Sequence, residues 1–279
     1  MISIMRKSTD ECLLCQANAA NKTNSHILPR FISTGFFGAK GAQRRGFAFN
    51  GENELSLKPR AVQDSPKENY ILCDECEYYF SLLETASAPS LKFWKAKVAS
   101  GKFKKTNIKS YLKVVEMATP NPVIMRLLVY SMFWRATVSS LEIFQDYVLD
   151  PGLTESLRST LLEFKALTNS DLDANLKARN ITMHPYTIIT AESYKDETAN
   201  VLAAINSGNP ASLNVDKFGF ILFKAEGDIS EQVMADFSNA KLNENQIMVV
   251  SEHLWEEVMV RRPLEMVAQQ ARKNLSNPK

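Results

Sequence analysis

The four cysteines of this chain restrict what it can fold into more than any other feature. They form two pairs, Cys12-x-x-Cys15 and Cys73-x-x-Cys76, with none left over. A two-residue gap lets a tight turn or a helix start aim both sulfurs at one ion. Two such pairs therefore match a closed four-thiolate zinc site. A disulfide scaffold is the competing reading. Four cysteines are few for a secreted framework of 279 residues, and no signal peptide is evident at the N-terminus. The expected cofactor is structural Zn²⁺ held by Cys12, Cys15, Cys73 and Cys76, in a cytoplasmic protein.

The intervening residues refine this. A zinc ribbon separates its pairs by roughly 15–20 residues, whereas residues 16–72 intervene here. The segment Asp74–Glu84 has helical character. Tyr78, Leu82 and Leu83 can line one side of it, with Cys73, Glu77 and Glu84 near another. The expected layout is a knuckle with the first pair, extended strands, then a helix with the second, and it resembles a treble clef. Ser25-His26-Ile27-Leu28-Pro29-Arg30 lies between the pairs. A Cys-x-x-Cys pair, a His-Ile-Leu-Pro step and a second pair at a helix start together resemble the zinc-bearing HNH endonucleases, of the ββα-metal or His-Me finger group, over roughly residues 10–85.

That resemblance implies a general-base role for His26, with Asn69 as the middle asparagine. It also implies a second, catalytic ion, Mg²⁺ or Mn²⁺, near Glu77. The sequence departs from the family at two places: Ser25 stands where an Asp or Glu is usual, and Glu77 where a histidine ligand is usual. A carboxylate suits a hard divalent ion, so Glu77 is a workable replacement. Ser25 brings no charge and is a poorer one. The expected function is hydrolysis of nucleic-acid phosphodiester bonds, with DNA ahead of RNA; by fold analogy it would serve defence against foreign DNA or a mobile element. The alternative is a non-catalytic zinc protein that binds nucleic acid or a protein partner, with His26 packed as a structural residue.

Charge distribution supports a polyanionic ligand. The net charge of +2 conceals an asymmetry: residues 1–116 carry 18 Lys/Arg and 11 Asp/Glu, while residues 117–279 carry 15 and 20. Residues 12–51 contain no acid, and Arg30, Arg44 and Arg45 lie there. Residues 86–115 are also acid-free and hold eight lysines, among them Lys102, Lys104 and Lys105, interleaved with Phe93, Trp94, Phe103 and Tyr111. Lysines contact phosphates without reading sequence, and aromatic rings can stack on bases. The bland reading is a pair of amphipathic helices with solvated lysines and the aromatics in the core.

Beyond these stretches the pattern predicts an α+β chain. A zinc treble-clef lobe spans 1–85, a helical region 86–180, and a small mixed α/β region 181–279, the last a candidate for oligomerisation or for a regulatory partner. Asn121 and Pro122 start a helix expected to run from Val123 to Leu149 until Asp150-Pro151-Gly152 stops it. Its most apolar piece is too short to span a bilayer. Residues 154–168 and 171–179 read as further helices. Tyr186–Thr190, Phe218–Phe223 and Ile247–Val250 read as strands, Asn50-Gly51 as a hairpin turn, and Glu197–Asn206 and Ser230–Ala240 as helices. Ser251 caps a last helix. His184 and His253 lack ligand spacing and read as surface or edge histidines.

Overall fold

A computed structural model describes residues 6–33, 46–49, 60–62, 65–145, 147–193, 201–206, 209–230, 238–261 and 265. Arg44, Arg45, the Asn50-Gly51 turn and most of the helix expected over Ser230–Ala240 lie outside these residues. The fold is mixed α+β. Strand β1 is Ser25–His26, followed by the short helix α1 (Arg30–Ser33), β2 (Gly46–Phe49), β3 (Arg60–Val62) and β4 (Lys67–Glu68). Helices α2 (Asp74–Lys92) and α3 (Trp94–Ala99) come next, then β5 (Lys104–Lys109) and β6 (Leu112–Glu116). Helices α4 (Pro122–Val138), α5 (Pro151–Glu163) and α6 (Asn169–Ala178) lead to β7 (Tyr186–Ala191), β8 (Val201–Asn206), β9 (Ala211–Val215), β10 (Phe218–Leu222) and β11 (Gln246–Val250).

Nine of these strands form one sheet in the order β3-β2-β8-β9-β10-β7-β11-β6-β5. The β2–β8 and β7–β11 pairs are parallel and the other neighbours antiparallel. The sheet draws strands from all three regions marked out in the sequence, so its boundaries do not follow residues 85 and 180. Its central strands are covered on both faces, which explains their nearly continuous apolar character. Ile188, Phe220, Leu222, Ile247 and Val249 face the main core with the helices, while Ile189, Ile221, Phe223, Met248 and Val250 face a second cluster with Trp255 and Met259. The terminal helix Glu252–Trp255, capped by Ser251 as expected, and the π-helical turn Glu256–Arg261 supply that second cover. Asn214 Nδ2 donates to the Met259 carbonyl at 2.9 Å, and Gly219 leaves the room that Met259 Cε fills.

Several sequence expectations change in three dimensions. Lys104–Glu116 is a β-hairpin (β5 and β6), not the second of two basic helices. Leu112 and Val114 lie on one face of β6 and Lys113 and Val115 on the other, the period of a strand. The lysine density masked this. Val201–Asn206 is a strand rather than the end of a helix, because it completes hydrogen bonding between β2 and β9. The central helix begins as read, with Asn121 Oδ1 accepting from Val123 N at 2.9 Å, but it ends at Val138. Asp150-Pro151 is a start signal, not a stop: Asp150 Oδ1 accepts from Leu153 N at 3.0 Å and Pro151 opens α5.

Helix α4 is almost wholly buried, including two arginines. Arg126 has no exposed surface and donates to the carbonyls of His184 (2.9 Å), Asn239 (2.6 Å) and Lys241 (3.2 Å), while its guanidinium lies over the Tyr186 ring. It fixes the helix layer to the starts of β7 and β11. His184, expected at the surface, is 8% exposed. Its Nε2 meets Ser156 Oγ at 2.7 Å and its Nδ1 meets the Lys224 carbonyl at 2.8 Å. Burial, then the nearby Arg126 charge, holds His184 below the ordinary histidine value, against the Lys224 hydrogen bond. A folded-state pKa below the unfolded value means the unfolded chain binds more protons. His184 therefore contributes stability at neutral pH that is lost as pH falls below about 6.5, the unfolded value. In urea titrations His184→Gln should remove part of the parent's fall in stability between neutral pH and pH 5.

Candidate metal centre and His26

The first cysteine pair sits in a tight turn. Cys12 N donates to the Asn18 carbonyl at 2.8 Å, Gln16 N donates to the Cys12 carbonyl at 2.9 Å, and Gln16 closes the turn at φ 53°. Leu13 N donates to the Ile71 carbonyl and Lys22 N to the Leu72 carbonyl, stitching this turn to the segment before the second pair. Cys73 is the extended residue that precedes α2, and Glu77 N donates to its carbonyl at 3.0 Å. Asn21 Oδ1 accepts from Asp74 N at 3.2 Å, supplying the cap that Cys73 lacks. From α5, Arg158 donates to the Leu14 carbonyl at 2.8 Å, and just past its end Lys165 pairs with Glu75 at 2.6 Å.

These contacts bring the sulfurs of Cys12, Cys15, Cys73 and Cys76 within 4.8 Å of one another, with Cys15 and Cys73 at 3.9 Å. All four are free thiols. A Zn–S bond of about 2.3 Å in a tetrahedron sets sulfurs roughly 3.8 Å apart, so the spacing fits an ion and is far from a disulfide, about 2.05 Å. The donor set has the same implication. Cys12 is drawn down to about 4 by its hydrogen bond with Cys76, whereas Cys76, the other partner, is pushed far above its ordinary range. Burial pushes Cys73 up as well. Hydrogen bonding among the thiols thus stabilises one thiolate at the expense of its neighbours, and a bound cation would satisfy all four. Four close cysteines can hold a metal such as zinc. Among the described residues this is the one group of three or more His, Cys, Asp or Glu side chains so placed.

His26 is held between β4 and α4. Its strand β1 pairs antiparallel with β4, Ser25 opposite Glu68 and His26 opposite Lys67. The His26 Nδ1 meets Ser65 Oγ at 2.8 Å, and its carbonyl accepts from Arg135 Nη1 at 2.6 Å. Arg135, 1% exposed, also pairs with Glu84 at 3.0 Å and lies over the Phe80 ring. Burial raises the Glu84 carboxyl, Arg135 opposes this, and Glu77 adds to the rise. Glu77 and Glu84 therefore share the side of α2 that faces Arg135. Glu77 Oε2 is buried and has no hydrogen-bond partner. Asn69 Oδ1 accepts from Asn24 N at 2.8 Å, latching the loop before β1. Ser25 is fully buried with its Oγ unpartnered, while Glu68 across the pair is saturated by Ser139 and Ser140. Sequence reasoning missed Arg135. Its signal was a charge near the end of an otherwise apolar helix.

The basic residues are dispersed. Arg30 is exposed at the start of α1, and Lys102 is exposed before β5. Lys104 pairs with Glu116 at 3.5 Å; Lys105, at 3.5 Å, and Lys113 both pair with Glu192. The stretch is acid-free in sequence but not in space. Of its aromatics, Trp94 and Phe103 are buried while Phe93 and Tyr111 are exposed. No helix among the described residues is long and apolar enough to cross a membrane. No protein-family model matches the chain, and neither a curated protein nor a solved structure matches it.

Metal analysis of protein purified without chelator is expected to return one zinc per chain. Cys73→Ser should abolish it and loosen residues 10–85 ahead of the large sheet in hydrogen exchange, because binding free energy at such a site is folding free energy. Retention of full zinc content by Cys73→Ser would exclude the four-thiolate assignment.

Proposed function

We propose that the chain is a metal-dependent endonuclease of the HNH type, with a structural zinc in a treble-clef-like lobe and His26 as general base. The observation that carries this reading is the position of His26. It stands on the first strand of a small antiparallel pair, its backbone is tied through Arg135 to α2, and α2 starts at the second cysteine pair. With Nδ1 engaged by Ser65, Nε2 is the nitrogen that would take the proton from water. The unpartnered buried oxygen of Glu77 is the atom best suited to a hard divalent ion. Such an ion would supply electrostatic stabilisation of the scissile phosphate and leaving oxygen. Asn69 would act by holding the His26 loop, through Asn24, rather than by touching substrate.

Buried Ser25 favours the second reading, a non-catalytic zinc protein. In place of the family's carboxylate it presents a short neutral side chain. Assays with plasmid DNA and with RNA, with and without Mg²⁺ or Mn²⁺, separate the two. If His26 is the base, His26→Ala should keep zinc content and melting temperature while cleavage falls by roughly 10²–10⁴-fold. A parent that cuts neither polymer under any divalent ion, with a destabilised His26→Ala, would establish the structural role instead. Ser25→Asp should raise metal-dependent cleavage only in a working site.

For nucleic-acid binding, Lys102, Lys104 and Lys105 remain the candidates on the β5 edge. Replacing all three by Ala should lower the salt slope by up to about 0.9 per lost phosphate contact on duplex DNA. Unchanged affinity and slope would exclude these lysines from phosphate contact.

A further inference from the structure

A cavity of about 490 Å³, lined by none of the cysteines, lies where the junction of α2 and α3 meets α1, the end of β7 and the β9–β10 turn. Its volume is in the range of small-molecule sites. Apolar side chains, including Leu91 and Trp94, line part of it, and Phe93, 53% exposed, contributes an aromatic ring. Three lysines line it as well, Lys92, Lys95 and Lys217, against one carboxyl group, Asp216.

Among the described residues, the carboxyl groups that act on these lysines are Asp216 and Glu192. Glu192, whose carbonyl accepts from Lys95 Nζ at 2.6 Å, has its carboxylate engaged by Lys105 and Lys113. Burial and then the neighbouring Lys217 charge hold the Lys95 amine below its ordinary range, against the opposing pull of Glu192. Two cations thus repel each other at a partly desolvated site, an arrangement that an anion relieves. The cations also meet aromatic faces: Lys92 Nζ lies 5.5 Å from the Phe93 ring centre and Lys95 Nζ 5.3 Å from that of Trp94. Asp216 sits in the turn at φ 54°, and burial pushes its carboxyl up to about 6 against the pull of Lys217. Asp216 is a hydrogen-bond acceptor in the lining. It suits a flat ring that carries N–H donors.

We propose that this cavity binds a free nucleoside phosphate, its phosphates at Lys95 and Lys217, its base against Phe93 and its exocyclic N–H groups toward Asp216. The site shares no residue with the proposed nuclease centre, so either can fail without the other. Calorimetry and thermal shift on the full chain, using the 5′-mono-, di- and triphosphates of adenosine, guanosine, cytidine and uridine, should find binding at one site per chain. Lys95→Ala and Lys217→Ala should each weaken it about tenfold or more without changing the ligand-free melting temperature. Lys177→Ala, on α6 outside the cavity, should bind as the parent does. Asp216→Asn should change the ranking of the bases. No binding at millimolar nucleotide, parental affinity in both lysine variants, equal binding of inorganic phosphate, or binding only of a 5′-phosphorylated oligonucleotide would each overturn the proposal.

Discussion

The partly buried ion pair between Arg135 on α4 and Glu84 on α2 is the interaction on which the arrangement around His26 depends. Removing two charges from water is expensive, and the expense is offset here only because every direction from the guanidinium is used. It reaches Glu84, the His26 carbonyl, the Ser131 carbonyl and the Phe80 ring. One side chain thereby couples the core of the helix layer, the helix that begins at Cys73, and the two-residue strand bearing His26. Such a short strand has little pairing of its own to hold it. Its placement is a consequence of the Arg135 bond and of its pairing with Lys67–Glu68.

A second buried arginine does the same work one side over. Arg126 and Arg135 are both on α4, and between them they attach that helix to the large sheet and to the cysteine-bearing region. Neither is exposed, yet only Arg135 has a carboxylate partner; Arg126 is satisfied mainly by carbonyl oxygens and an aromatic face. Helix α4 is apolar all round because it is enclosed, and its two charges mark the places where it must join something polar.

The large sheet explains why the charge asymmetry of the sequence does not become a charged half of the molecule. The lysine-rich hairpin β5–β6 pairs with β11, from the acidic end of the chain. Glu192, following β7, then meets Lys105 and Lys113 across that edge. Long-range strand pairing brings together charges that the sequence keeps about eighty positions apart.

The sequence by itself determined the four-cysteine cluster, the start of α4 at Asn121-Pro122, and the strands at β7, β10 and β11. Each rests on local chemistry: ligand spacing, a side-chain cap, or a run of apolar β-branched and aromatic residues. Tertiary structure decided what local chemistry leaves degenerate. Asp150-Pro151 can follow one helix or begin the next, and only the course of the chain made it a start. The segment at Val201–Asn206 has residues acceptable to either helix or strand, and vacant hydrogen-bonding edges on β2 and β9 made it a strand. His184 looked peripheral because burial is not written in its neighbours; it was enclosed by Ser156, Tyr130 and Lys224, which lie 28, 54 and 40 positions away. Contacts across such distances are set by packing of the whole core, and no window of sequence contains them.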